Sequence, residues 1–226
     1  MINPLQSDSP LIVYVDIKSP YAFVAIKPIL AMEARLGIHI DWRPLTLDIP
    51  SYLGSAKKSK GKVVSSNRSA SQWAGVKYAY KDARRYVEQQ GYILKGTEKI
   101  WDSSIANIGI LWVCANGRAQ LPEYFEAVYP QFWQRDLDIE DVAVVQSCIE
   151  QANVDATGFA AYQHLGGQGR VLHDQLQNQL HPAGIYGVPT FVFGDHVMFG
   201  REHLPFVEWW LAGQSGSPPD IAYTLE

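Results

Sequence analysis

The stretch Leu11-Ile-Val-Tyr-Val-Asp-Ile-Lys-Ser-Pro-Tyr-Ala22 runs from a short apolar, β-branched and aromatic segment through a polar turn into a proline. Such an order reads as a buried strand, a sharp turn and a helix start, with Ser19 at the cap and Pro20 at the first helical position. The helix is predicted over Pro20–Leu36: Ala22, Ile26, Ile29, Leu30 and Ala34 fall on one face, and Gly37 supplies the stop. Ser19 therefore stands where unpaired N–H groups and the positive end of the helix dipole meet, a place that favours an anion by about 0.3–1 kcal/mol. Thiolates use such places. The turn holds no cysteine, so an anion bound there must come from a ligand; the plainer reading is that Ser19 only caps the helix.

A second segment, Gly184-Ile-Tyr-Gly-Val-Pro-Thr-Phe-Val-Phe-Gly194, sets a proline at the front of another apolar strand and leads through Asp195-His196 into Val197-Met198-Phe199. Proline is tolerated at the first residue of a strand, and in the cis form in a tight turn. Between the two segments, Ile38-His-Ile-Asp-Trp-Arg-Pro-Leu45 alternates apolar and polar residues. It is predicted to pair in parallel with the first strand, because the intervening helix has the length of a crossover.

Ser19-Pro20-Tyr21-Ala22 near the start and Gly-Val-Pro-Thr before a hairpin and helix near the end together resemble the DsbA-like branch of the thioredoxin fold. Within it the chain is most similar to the 2-hydroxychromene-2-carboxylate isomerases and the kappa-class glutathione transferases, which carry Ser-Pro-Tyr or Ser-Pro-Phe where disulfide oxidoreductases carry Cys-Pro-x-Cys. The likeness covers the first 50 residues and about 170 to 212 well, and the middle in patches such as Lys81-Asp-Ala-Arg-Arg-Tyr86. It implies an α/β, thioredoxin-like fold with a central mixed sheet and an all-helical insertion. The thioredoxin-like domain is expected over residues 1–50 and 170–226, and the insertion over 51–169. Phe199-Gly200-Arg201-Glu202-His203-Leu204 resembles the family's Gly-x-Asp-Arg-Leu turn, with glutamate in place of aspartate and histidine in place of arginine.

Composition bounds the alternatives. At 226 residues with 47% hydrophobic content, the chain can bury one core, or a core plus a packed subdomain. No run of about 18 apolar residues predicts a membrane span. The first ten residues lack the basic and apolar regions of a signal peptide, so a cytoplasmic location is expected. A net charge of −4 argues against a general nucleic-acid binder. Cys114 and Cys148 stand 34 residues apart, outside any Cys-x-x-Cys arrangement, and are expected to be buried and reduced.

Residues 49–81 carry Lys57, Lys58, Lys60, Lys62, Arg68, Lys77 and Lys81 and no acid. Glycine and serine among the lysines favour a solvated, flexible loop; a basic lid over the site is the sharper alternative. Beyond it, helices are predicted near 70–90, 103–116, 120–134, 140–152, 156–165, 169–181 and 204–212, with Pro182 ending the sixth. The tail after Gly213 is expected to be loose. His173, Asp174 and His181 have no ligand spacing, so surface or capping roles are expected and no metal site. Trp73, Tyr78, Tyr80 and Trp101 are expected in core packing, or in an aromatic pocket.

What the resemblance implies for chemistry is a glutathione cofactor. Its cysteinyl backbone would pair with Val188 before a cis Pro189. Pro20 and Tyr21 would flank its sulfur, while Gly200, Arg201 and Glu202 would hold its γ-glutamyl end. Ser19 would donate a hydrogen bond to the thiolate, the nucleophile. The expected activity is isomerisation of a small aromatic carboxylate, with Asn67 and Lys77 as substrate-binding residues; Asn67 also suits a plain turn role. A kappa-like transferase and a non-catalytic binding protein of the DsbA family stay open as alternatives, and so does a homodimer.

Overall fold

The computed structural model describes residues 2–220. Its centre is a four-stranded sheet in the order β2-β1-β5-β6, built from β1 (Leu11–Val15), β2 (Ile40–Pro44), β5 (Thr190–Phe193) and β6 (His196–Phe199). A separate two-stranded hairpin is made by β3 (Ala56–Ser59) and β4 (Lys62–Ser66). β1 pairs in parallel with β2, Leu11 opposite Ile40 and Val15 opposite Pro44; β5 lies antiparallel on its other side. All five residues of β1 are buried, as a strand covered on both faces requires. The expected mixed sheet and parallel crossover are both present.

The crossover is α1 (Pro20–Leu36), bounded as the sequence predicts. Ser19 Oγ accepts from Ala22 N at 3.2 Å. Gly37 closes the other end at φ 62°, a left-handed conformation that costs a residue without Cβ little. Pro28 lies inside the helix and offers no N–H to the Val24 carbonyl. Gln90 Nε2 fills that vacancy, donating to Val24 O at 2.8 Å from just past the end of α3 (Ala70–Gln89). The helix is thus continued across its proline by a side chain 66 residues away.

The remaining helices are α2 (Ile49–Leu53), α4 (Ser104–Asn116), α5 (Leu121–Gln134), α6 (Val142–Gln151), α7 (Phe159–Gln163), α8 (Gln168–Leu180) and α9 (Leu204–Leu211). Apart from α2, which buries no residue, their faces share a single buried cluster with the sheet. Phe23 of α1 lies parallel to Tyr129 of α5 at a centroid distance of 5.4 Å, and Trp42 of β2 meets Phe125 edge-on at 5.1 Å. Aromatic pairs in these geometries each contribute about 0.5–1.5 kcal/mol beyond their buried area.

One region differs from its sequence reading. The lysine-rich stretch read as a flexible loop is the β3–β4 hairpin, so residues 56–66 are strand and turn where an all-helical segment was expected. Lys58 N donates to Glu98 O at 2.7 Å, tying the hairpin to a segment 40 residues on. Residues 214–220 hold no helix or strand; the rest of that tail, and Met1, lie outside the described residues. Among the described residues no helix is long and apolar enough to cross a membrane.

Candidate functional site

Parallel strands that end side by side leave a crevice at their carboxyl ends. Here the crevice opens beyond Val15 and Pro44 into a cavity of about 890 Å³. The turn after β1 forms its inner wall with Lys18, Ser19, Pro20 and Tyr21, and the segment after β2 adds Thr46. Val188 and Phe199 close one side. The outer wall comes from α2, α3 and the loop before α4, through Tyr52, Arg68, Tyr80 and Trp101 among others.

Asp16 fixes the inner wall. Its carboxylate is fully buried, and four donors meet it. Oδ1 accepts from Ser103 Oγ at 2.5 Å, Asn107 Nδ2 at 3.0 Å and Lys18 N at 3.3 Å, and Oδ2 accepts from Leu47 N at 2.9 Å. Its carbonyl takes Ser19 N at 3.0 Å, closing the turn that brings the serine to the helix start. A buried carboxylate survives only with its lone pairs occupied, and here one side chain locks two strand ends and α4 together. The sequence reading assigned Asp16 no role; the signal was an acid at the end of a wholly apolar strand.

Ser19 is 4% exposed, and what remains faces the cavity. Its oxygen accepts the capping bond, which leaves its hydroxyl hydrogen available to an acceptor in the cavity. Tyr21 donates to Asp82 Oδ2 at 3.4 Å. Burial, and after it the Asp82 charge, pushes its phenol up to about 12, so it stays neutral. Val188 is buried against the cavity and its bond to Pro189 is cis. Its N–H and C=O make no hydrogen bond to any described residue. Gly187 leaves room for Phe199, whose ring a Cβ there would run into.

Other expected residues fall elsewhere. Gly200 N donates to Pro189 O at 2.9 Å, one residue beyond Phe199. The guanidinium carbon of Arg201 lies over Tyr86, 3.5 Å from the ring centroid, and Glu202 is exposed; none of these three lines the cavity. Asn67 and Lys77 do not line it either. Asn67 Oδ1 accepts from Ser55 N at 2.6 Å, fastening the base of the hairpin, and Lys77 is exposed. The hairpin lysines are likewise absent from the lining, so of the basic residues of 49–81 only Arg68 lines the cavity. Tyr80 and Trp101 reach the cavity and also pack against the core, while Trp73 and Tyr78 do neither.

The cation that does face the cavity from this region is Arg68, the neighbour of the asparagine that the resemblance singled out. Its guanidinium carbon sits 5.0 Å from the Trp73 ring centroid and Nε donates to Gly54 O at 3.3 Å. Burial holds its pKa below the usual arginine value. Lys18 reaches Trp101 O at 3.2 Å. Among the described residues, neither Arg68 nor Lys18 has a carboxylate within ion-pair distance.

His173 departs from its expected surface role: it is 3% exposed, with Nε2 2.8 Å from Thr46 Oγ1 and Nδ1 2.7 Å from Asp174 Oδ1. The two cysteines are unpaired, and burial pushes their thiols up to about 12 for Cys114 and about 11 for Cys148. Neither lines the cavity.

Comparison with known proteins agrees with this architecture. A solved 2-hydroxychromene-2-carboxylate isomerase superposes with a TM-score of 0.67 at 18% identity, covering 89% of this chain and 94% of its own. The cytosolic disulfide reductase DsbM from Pseudomonas aeruginosa, solved with GSH, gives a TM-score of 0.54 at 14% identity, covering 89% and 95%. In sequence, the 2-hydroxychromene-2-carboxylate isomerase of Sphingobium xenophagum is 25% identical over 203 residues, 88% of this chain and 95% of that protein. The model of the DSBA-like thioredoxin domain matches residues 10–212. With a serine at the head of α1, the chain belongs to the DSBA-like thioredoxin family.

Proposed function

We propose that the protein is a glutathione-dependent isomerase of the 2-hydroxychromene-2-carboxylate isomerase type. The observation that carries this reading is the pairing of Ser19 with Val188 in one cavity: a hydroxyl with a free hydrogen at the positive end of a helix, and a peptide whose N–H and C=O are unbonded to described residues. An extended tripeptide can pair with that peptide and bring its sulfur to the hydroxyl. Ser19, the Tyr21 amide and the positive end of α1 then favour the thiolate, the nucleophile that the protein's own cysteines, absent from the cavity lining, cannot supply. Added to a conjugated bond of the substrate, the sulfur turns a double bond into a single one, allows rotation, and leaves again.

The unpaired guanidinium of Arg68 supports an anionic substrate, since its flat face rests on Trp73 and its terminal nitrogens suit a carboxylate. Gly200, Arg201 and Glu202 follow directly on Phe199 and are assigned to the γ-glutamyl end. The relatives named above, one an isomerase and one solved with GSH, favour the same chemistry. A cytoplasmic setting, where glutathione is kept reduced, goes with it.

The test uses glutathione and a hydroxychromene carboxylate. Saturating glutathione is expected to raise the melting temperature; at a hundred times Kd the gain is about 2.7 kcal/mol. Ultraviolet spectra should then show substrate converting to its geometric isomer with glutathione recovered unchanged. Accumulating conjugate indicates a transferase. No thermal shift at saturation leaves the non-catalytic binding protein.

A further inference from the structure

We propose that Thr46, His173 and Asp174 form a proton relay that ionises the thiol of glutathione bound against Ser19. The relay rests on the reading above, because it needs a thiol in the cavity.

The geometry defines each donor. Asp174 can only accept, so the 2.7 Å contact places a proton on His173 Nδ1 and leaves Nε2 as an acceptor. Thr46 therefore donates its hydroxyl hydrogen to Nε2, 2.8 Å away. Asn107 is also oriented without ambiguity: its Oδ1 accepts from Ile17 N at 3.2 Å and its Nδ2 donates to Asp16 Oδ1. The same Nδ2 donates to Thr46 Oγ1 at 2.8 Å. One lone pair of that oxygen is thus occupied, and one is left for a donor in the cavity that Thr46 lines. His173 does not line the cavity, so Thr46 is the link between them.

The step balances. The thiol S–H bond breaks and its proton passes to Thr46 Oγ1, while the hydroxyl proton of Thr46 passes to His173 Nε2. Threonine ends neutral, sulfur ends as thiolate, and His173 ends as an imidazolium held by the Asp174 carboxylate. This is the order of parts, acid–imidazole–hydroxyl, by which nucleophiles are activated elsewhere, here extended to a nucleophile carried by the ligand. The charged groups facing the ring are Asp174 and Arg170 from α8, Asp102 from the segment before α4, and Asp16 through Asn107. Burial, the largest influence, holds the imidazole below its ordinary pKa, so it is neutral before the thiol binds; the thiolate formed one hydroxyl away adds the negative charge that favours its protonated form once the proton has passed.

The test measures where the proton goes. Glutathione binding at pH 7 is followed by thiolate absorbance, and by calorimetry in two buffers of different ionisation heat. The wild-type chain is expected to form thiolate while releasing almost no proton. Thr46→Val and His173→Gln should raise the apparent pKa of the bound thiol by about one unit, roughly tenfold less thiolate, or release the proton to the buffer. Glutamine keeps a hydrogen bond but cannot take the proton, so a merely structural histidine would be rescued by it. Thr46→Ser retains the hydroxyl and should behave as wild type. Unchanged thiolate and proton release in both Thr46→Val and His173→Gln overturn the relay alone. Failure of the wild type to bind glutathione overturns the functional reading and the relay with it.

Discussion

The two walls of the cavity are built in opposite ways. The inner wall, from the ends of β1 and β2, is largely buried and held by hydrogen bonds: Asp16 has four donors, Ser19 Oγ accepts from Ala22 N, and Thr46 is held by Asn107 and His173. The outer wall, from α2, Arg68 and α3, is largely exposed: α2 buries no residue and α3 fully buries only Ala83 and Val87. Chemistry needs groups held to a fraction of an ångström, and rigid buried networks provide that. Selection among substrates needs surface that can vary at little cost to stability. The difference teaches that a change of equal size has unequal consequences on the two sides.

The largest effect is expected from Asp16→Ala, which strands several buried donors at once and should cost about 3 kcal/mol or more, read from urea denaturation. Next comes Ser19→Ala. Removing the hydroxyl should lower isomerase activity by about 10²-fold, while the lost cap costs about 1 kcal/mol, so the melting curve moves little as turnover collapses. Full retention of activity would remove Ser19 from the chemistry. On the outer wall, Arg68→Gln is expected to raise KM for an anionic aromatic substrate by about tenfold, one charged hydrogen bond's worth, with kcat nearly unchanged. Replacing Lys57, Lys58, Lys60 and Lys62 together by glutamine should be the smallest perturbation, within about 0.5 kcal/mol of wild-type stability, because none of these residues lines the cavity. A large loss of activity there would erase the contrast between the walls.

Much of the inner wall was legible in the residues. An apolar run, a Ser-Pro cap and a glycine stop are local signals, and they placed α1 to the residue. The outer wall was less legible for a physical reason. β4 is exposed along its whole length, so no alternation of burial marks it, and the hairpin is tied down through Glu98, a contact that no local pattern announces. The resemblance pointed at Asn67, whose side chain instead joins the hairpin base, while its neighbour Arg68, read only as one of the basic residues of 49–81, reaches the cavity. His173 was misread because it is polar, although Gly169, His173, Leu176 and Leu180 recur on one buried face of α8. A histidine at an apolar position is a question about partners, and Thr46 and Asp174 answer it.

The bridge from Gln90 to the carbonyl freed by Pro28 also has a mechanical side. It clamps the carboxyl end of α3 to α1, while Arg68 lies just ahead of the opposite end. Twenty residues of helix make a beam of roughly 30 Å, so a tilt of about 4° at the clamp swings the far tip by about 2 Å. A missing amide hydrogen in one helix thereby becomes the fulcrum from which the aperture beside Ser19 is levered wider or narrower.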